Sequence, residues 1–161
     1  MTLYLTENFT LEELLHSNTA DKRGIKNTVH DTDMVIGNLK ILCKKVLQPI
    51  RDNFGPIVVT SGYSNVALSF ALGRKLTSEH YMGRAADIVS RKVKNYEIAK
   101  WIKENLDFNQ LIYEVRKRSN GTKYDWVHVS YRGDDKPNKK EVLYSPPTGG
   151  YQIGLPDKSQ V

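Results

Sequence analysis

Gln110-Leu111-Ile112-Tyr113-Glu114-Val115 and Trp126-Val127-His128-Val129-Ser130-Tyr131 are two runs rich in aliphatic and aromatic residues, with Ser119-Asn120-Gly121 between them. Such residues suit a pleated, half-buried surface, and Asn-Gly favours a tight turn because its backbone must reach positive φ. The pair therefore predicts an antiparallel hairpin. Working outward from it, Ala85–Val89 and Pro56–Thr60 read as strands, and Glu141–Tyr144 as a last short one. The helices lie mostly earlier. Thr10 and Glu13 have the spacing of a capping box, which starts a short helix over Leu11–His16. Residues 17–32 are polar and irregular.

From Asp33, the residues Val35, Leu39, Leu42, Val46 and Ile50 recur at helical spacing, predicting one long helix that Pro49 bends or weakens in its last turn and Phe54-Gly55 ends. A helix over Val66–Leu72 stops at Gly73, and Asn95 caps another that runs to Leu106 with Ile98, Trp101, Ile102 and Leu106 inward. Helices first and a hairpin later predict an α+β fold, a small antiparallel sheet packed with helices. The expected domain covers residues 1–132. Residues 133–161 follow as an extended C-terminal segment, rich in turn formers beyond Tyr144 and read as a tail or docking segment.

A chain of 161 residues can bury a core without disulfides, and its single cysteine, Cys43, excludes a disulfide within the chain. Cys43 lies in the apolar helix, where packing is its expected role. The first residues lack a basic segment followed by an apolar run, and no apolar stretch is long enough to span a membrane. Synthesis in a cytoplasm is therefore expected, with any action outside the cell depending on release by something else. The net charge of +6, from 24 Lys and Arg against 18 Asp and Glu, suits polyanionic surroundings such as nucleic acid, anionic lipid or a cell wall. The basic residues are dispersed in small clusters, and no strand face interleaves them with stacking aromatics, which argues against a nucleic-acid partner.

Of four histidines, two sit in unusual company. His80 precedes Asp87 across a run containing Gly83, Ala85 and Ala86, residues small enough for a turn to bring both to one ion. His128 lies on the predicted hairpin. Two imidazoles and a carboxylate can hold zinc with a fourth position free for water, and the ion then lowers that water's pKa. Spacing alone leaves open the plainer alternative of ordinary core or surface histidines. His16 and His30 have no acid at ligand-like spacing and carry no assigned role.

The blocks T-S-G-Y, S-E-H-Y-M-G-R-A-A-D-I, Q-L-I-Y-E and W-V-H-V-S-Y, in this order, resemble the zinc D-Ala-D-Ala carboxypeptidase and L-alanyl-D-glutamate endopeptidase family. That family includes murein peptidases and many phage endolysins and shares its core with hedgehog signalling domains. The opening F-T-L-E-E-L-L-H-S-N-T-A-D-K-R-G-I-K-N-T is similar to the start of phage-encoded members, so the likeness covers roughly residues 9–131. The resemblance implies His80, Asp87 and His128 as zinc ligands. It also implies hydrolysis of amide bonds in peptidoglycan, by an endopeptidase or a D,D-carboxypeptidase. A bacteriophage endolysin would act on the wall after release from the host cytoplasm, or be carried in a virion.

For the general base, one branch of the family carries an acid at the position of Asp125, and Glu114 is the competitor. Asp125, preferred here, must sit at an irregular strand start to share a face with His128. Glu114 faces His128 only if the hairpin register differs by one from that of a two-residue turn. Many relatives also have an Arg after S-G-Y and an Asn five residues on, where this chain has Ser64 and Ser69. That Arg is expected to hold a substrate carboxylate or the oxyanion. Arg74 and Arg84 could substitute or could be solvated, and Ser78 and Ser130 could orient the ligands or cap backbone groups. The missing Arg keeps a second reading open: a binding module for wall peptide or a virion partner, with its zinc retained but turnover lost.

Overall fold

The computed structural model describes residues 1–161. The architecture is α+β, and the hairpin seen first in the sequence lies at its centre. Strands β1 (Val58–Ser61), β2 (Ala85–Val89), β3 (Gln110–Lys117), β4 (Lys123–Ser130), β5 (Glu141–Ser145) and β6 (Gln152–Ile153) form one six-stranded sheet in the order β1-β2-β4-β3-β5-β6. All neighbours are antiparallel except β3 and β5, which run parallel, so the sheet is mixed rather than wholly antiparallel.

The β3–β4 turn is not a two-residue one. The Arg118 N–H donates to the Thr122 carbonyl (2.8 Å) and the Gly121 N–H to the Arg118 carbonyl (2.9 Å), with Gly121 at φ +87°. This is a three-residue loop closed by a left-handed glycine, a common hairpin solution. Its odd length moves the register by one, so Glu114 pairs with Trp126 and Ile112 with His128.

The helices α1 (Leu11–Leu15), α2 (Asn18–Arg23), α3 (Thr32–Leu42), α4 (Gln48–Phe54), α5 (Val66–Ala71) and α6 (Asn95–Asn105) come mostly before the hairpin. The capping box forms as its spacing predicts: Thr10 Oγ accepts from the Glu13 N–H while Glu13 accepts from the Thr10 N–H. Within the region expected to be irregular, Ser17 caps α2 and Gly24 ends it at φ +64°. The long helix is interrupted by a π-helical turn over Cys43–Leu47, in which the Gln48 N–H reaches back to the Cys43 carbonyl. Pro49 brings no N–H to the ladder and its ring crowds the carbonyl four residues back. The wider turn immediately before it is a way to absorb that mismatch without ending the helix.

Along β2, β3 and β4 alternate residues face opposite ways. Ala86, Ile88, Leu111, Tyr113, Val115, Val127 and Val129 meet Leu39, Leu42, Val46, Ile98 and Ile102 in one core. A fully buried side chain of this kind contributes roughly 1.5–3 kcal/mol. Cys43 lies in the same core, and burial, followed by the charge of Glu13, pushes its thiol up to about 12. It is a packing residue with no reactive thiolate near neutral pH.

Residues 133–161 are not a free tail. β5 adds to the sheet beside β3, Tyr144 stacks on Tyr113 with ring centroids 5.9 Å apart, and the Tyr96 hydroxyl donates to the Pro156 carbonyl (2.9 Å). No helix of the chain is long and apolar enough to cross a membrane.

Candidate metal centre

The sheet face opposite the core carries Asp87, Glu114, Trp126 and His128. Asp87 pairs with His128 across β2 and β4, which sets both side chains on the same face. His80 reaches them from the loop between α5 and β2, and two glycines shape its approach. Gly83 adopts φ +72°, and a Cβ there would lie 2.8 Å from the Val35 carbonyl oxygen. At Gly62 a Cβ would lie 2.3 Å from the Leu14 carbonyl oxygen, closer than any side chain tolerates. That close packing holds the Gly62 carbonyl where His80 Nδ1 donates to it at 2.7 Å.

A carbonyl can only accept, so Nδ1 of His80 carries the proton and the neutral ring keeps its lone pair on Nε2. Nε2 lies 3.4 Å from Asp87 Oδ1, and His128 Nδ1 lies 2.9 Å from the same oxygen. Candidate ligand atoms of these three residues all fall within 4.8 Å of one another. Tetrahedral zinc with bonds near 2.0–2.1 Å separates its ligands by roughly 3.3 Å, so the donor set fits that ion with little movement. An imidazole lone pair facing a carboxylate is relieved by a cation between them, and a metal ion would serve that role here.

The electrostatics follow from burial and proximity. Burial alone would push the Asp87 carboxyl up; the facing His80 and His128 imidazoles outweigh it and hold the group well below the usual carboxylate range. Burial lowers the His80 imidazole, against the charge of Asp87. Burial would lower His128 too, but its bond to Asp87 and the charges of Asp87 and Glu114 raise it. A metal at Nδ1 must displace that proton. Zinc affinity should therefore be full above the raised pKa of His128 and fall about tenfold per pH unit below it. Competition against a chromophoric chelator across mildly acid pH measures this, and an affinity independent of pH would contradict it.

Glu114 joins His80, Asp87 and His128 in lining one cavity of about 400 Å³, together with Arg74, Gln110, Leu72, Ile112, Trp126 and Tyr151. Burial and the charge of Asp87 raise the Glu114 carboxyl above its ordinary value, against the pull of His128, Arg116 and Arg74. Asp125 is elsewhere. Strand β4 is regular from Lys123, so Asp125 and His128 point to opposite faces, and the preference for Asp125 fails on that geometry. Its carboxylate accepts from the Tyr113 hydroxyl and from Asn95 Nδ2, the latter at 3.0 Å. Asn95 thus ties β4 to the start of α6, whose N-cap residue is Lys94.

Ser64 and Ser69, at the positions of the relatives' Arg and Asn, are both wholly buried, and Ser69 Oγ donates to Ser64 Oγ at 3.0 Å. Arg74 brings a guanidinium to the cavity. Its Nη2 donates to Asp87 Oδ2 at 3.2 Å and its Nη1 to Ser61 Oγ at 3.0 Å. Arg84 does not line the cavity and has Asp134 as its nearest acid, at 3.8 Å. Ser78 accepts from the His80 backbone N–H and Ser130 from that of Gln110, so both serve backbone groups. His16 pairs with Asp21 on the surface, and His30 bonds the Tyr63 hydroxyl; neither is part of the centre.

Residues 7–130 match the sequence model of one protein family, Peptidase M15. The chain belongs to the peptidase M15 family. M15 peptidases are zinc-dependent and act on peptidoglycan-type peptides. No individually curated protein matches the chain. Of the residues lining the cavity, Tyr151 alone lies beyond the matched M15 region. Tyr151 carries no signal in the sequence, and Arg74 carries only its nearness in sequence to the ligands.

Proposed function

We propose that this M15 chain is a zinc metallopeptidase hydrolysing an amide bond in peptidoglycan peptides, with His80, Asp87 and His128 as ligands and Glu114 as general base. The supporting observation is that Glu114 shares one cavity with the three ligand candidates. When bound, zinc supplies Lewis acidity, polarising the scissile carbonyl and lowering the pKa of water. Glu114 takes a proton from the attacking water and delivers it to the leaving nitrogen as the C–N bond breaks, leaving a carboxylate and an amine. Burial and the charge of Asp87 raise its pKa, which moves it in the direction that favours accepting a proton. Arg74 holds Asp87 Oδ2, which leaves Oδ1 turned to both imidazoles. We further propose a phage endolysin role, with synthesis in the host cytoplasm and action on the wall after release or from a virion. The basic charge of +6 favours residence on an anionic wall.

The buried Ser64–Ser69 pair favours a second reading, a module that retains zinc and wall binding without turnover. Incubation with purified murein, with and without a zinc chelator, separates the two once released products are identified by mass. The peptidase reading expects new peptide termini that vanish with chelator. Murein binding without any product supports the module instead.

A further inference from the structure

An exposed aromatic on a protein surface ordinarily calls for no explanation. Tyr151 differs because of where it is held. The residue is 64% exposed, yet it lines the same cavity as Glu114 and the three ligand candidates. Gly149 and Gly150, at φ +90° and +76°, turn the chain immediately before it, and Gln152 then pairs with Tyr144 in the sheet. Ser145 Oγ donates to the Gly150 carbonyl at 3.1 Å and accepts from Arg116 Nη1 at 3.1 Å. The other terminal nitrogen of Arg116 bonds Glu114 Oε2 at 3.2 Å, and its guanidinium lies 5.4 Å from the centre of the Trp126 ring. One arginine therefore links the Tyr151 loop, the candidate base and the cavity wall.

We propose that Tyr151 is a substrate-contacting residue of this centre. Its ring, with Leu72 and Trp126, receives an apolar side chain adjoining the scissile amide. With Ile112 these are the apolar residues lining a cavity whose other groups are charged or polar. The loop that carries Tyr151 lies outside the residues matched to the M15 family. The inference rests on the peptidase reading above.

The test uses the full chain loaded with zinc and soluble muropeptides released from bacterial murein by a muramidase. Tyr151→Ala should raise KM about tenfold, the scale of a lost apolar pocket contact, with kcat nearly unchanged. Tyr151→Phe should behave as wild type, because the ring makes the contact. Zinc affinity and melting temperature should match wild type in both variants. An unchanged KM in Tyr151→Ala overturns the proposal, and so does a Tyr151→Phe variant that loses as much as Tyr151→Ala. Absence of turnover in the wild-type protein defeats the peptidase reading, and this inference with it. That outcome is distinguishable because it precedes any comparison of variants.

Discussion

Glu114→Gln is expected to lower kcat on murein peptides by about 10²–10⁴-fold, the usual contribution of a positioned general base, with zinc content unchanged. The amide keeps the volume and removes the ability to take a proton. Asp125→Ala should do the reverse. The Asp125 carboxylate lies on the core side of the sheet, where it accepts from the Tyr113 hydroxyl and Asn95. Its loss strands a buried hydroxyl and should destabilise the fold by about 1–3 kcal/mol while kcat stays near wild type. Steady-state kinetics and urea unfolding on the two variants give a crossed pattern. If Asp125→Ala loses turnover and Glu114→Gln keeps it, the assignment is reversed.

Asp87→Ala should remove the metal centre outright. Asp87 Oδ1 faces both imidazoles and Oδ2 faces Arg74, so one carboxylate balances three nitrogen groups. Losing an outer partner of a ligand typically weakens metal binding 10–100-fold; losing the sole anionic ligand should exceed about 100-fold and end activity. The Arg74 side chain, only 20% exposed, is left without its counter-charge, which should cost about 1–3 kcal/mol of stability. Zinc content after dialysis and thermal melting measure both effects. Retention of a full zinc equivalent by Asp87→Ala would place the metal elsewhere.

Much of this was legible before the structure. Hydrophobic spacing and cap residues located the main helices and strands, because a buried face imposes its period on the sequence. The ligand trio was visible once family blocks joined the spacing. What stayed hidden depends on backbone detail or distant packing. The face on which Glu114 lies turns on one residue of loop length, and Asn120-Gly121 alone does not distinguish a two-residue turn from the three-residue loop. Pro49 was expected to bend the helix or weaken its last turn; the π-helical turn ahead of it carries no signal in the local sequence. Arg74 looks like any surface arginine in the sequence, and only the tertiary fold carries it to Asp87. Tyr151 follows a turn-rich stretch with no periodic signal, so its return to the cavity is unreadable from local pattern.

The central claim is that one zinc ion sits among His80, Asp87 and His128 with Glu114 facing it. Anomalous diffraction at the zinc edge from crystals of the zinc-loaded protein tests this most directly. The account predicts a single strong peak within bonding distance of His80 Nε2, Asp87 Oδ1 and His128 Nδ1, opening onto the cavity lined by Glu114. A fully loaded protein whose peak lies at other residues, or at a site closed off from that cavity, would contradict it.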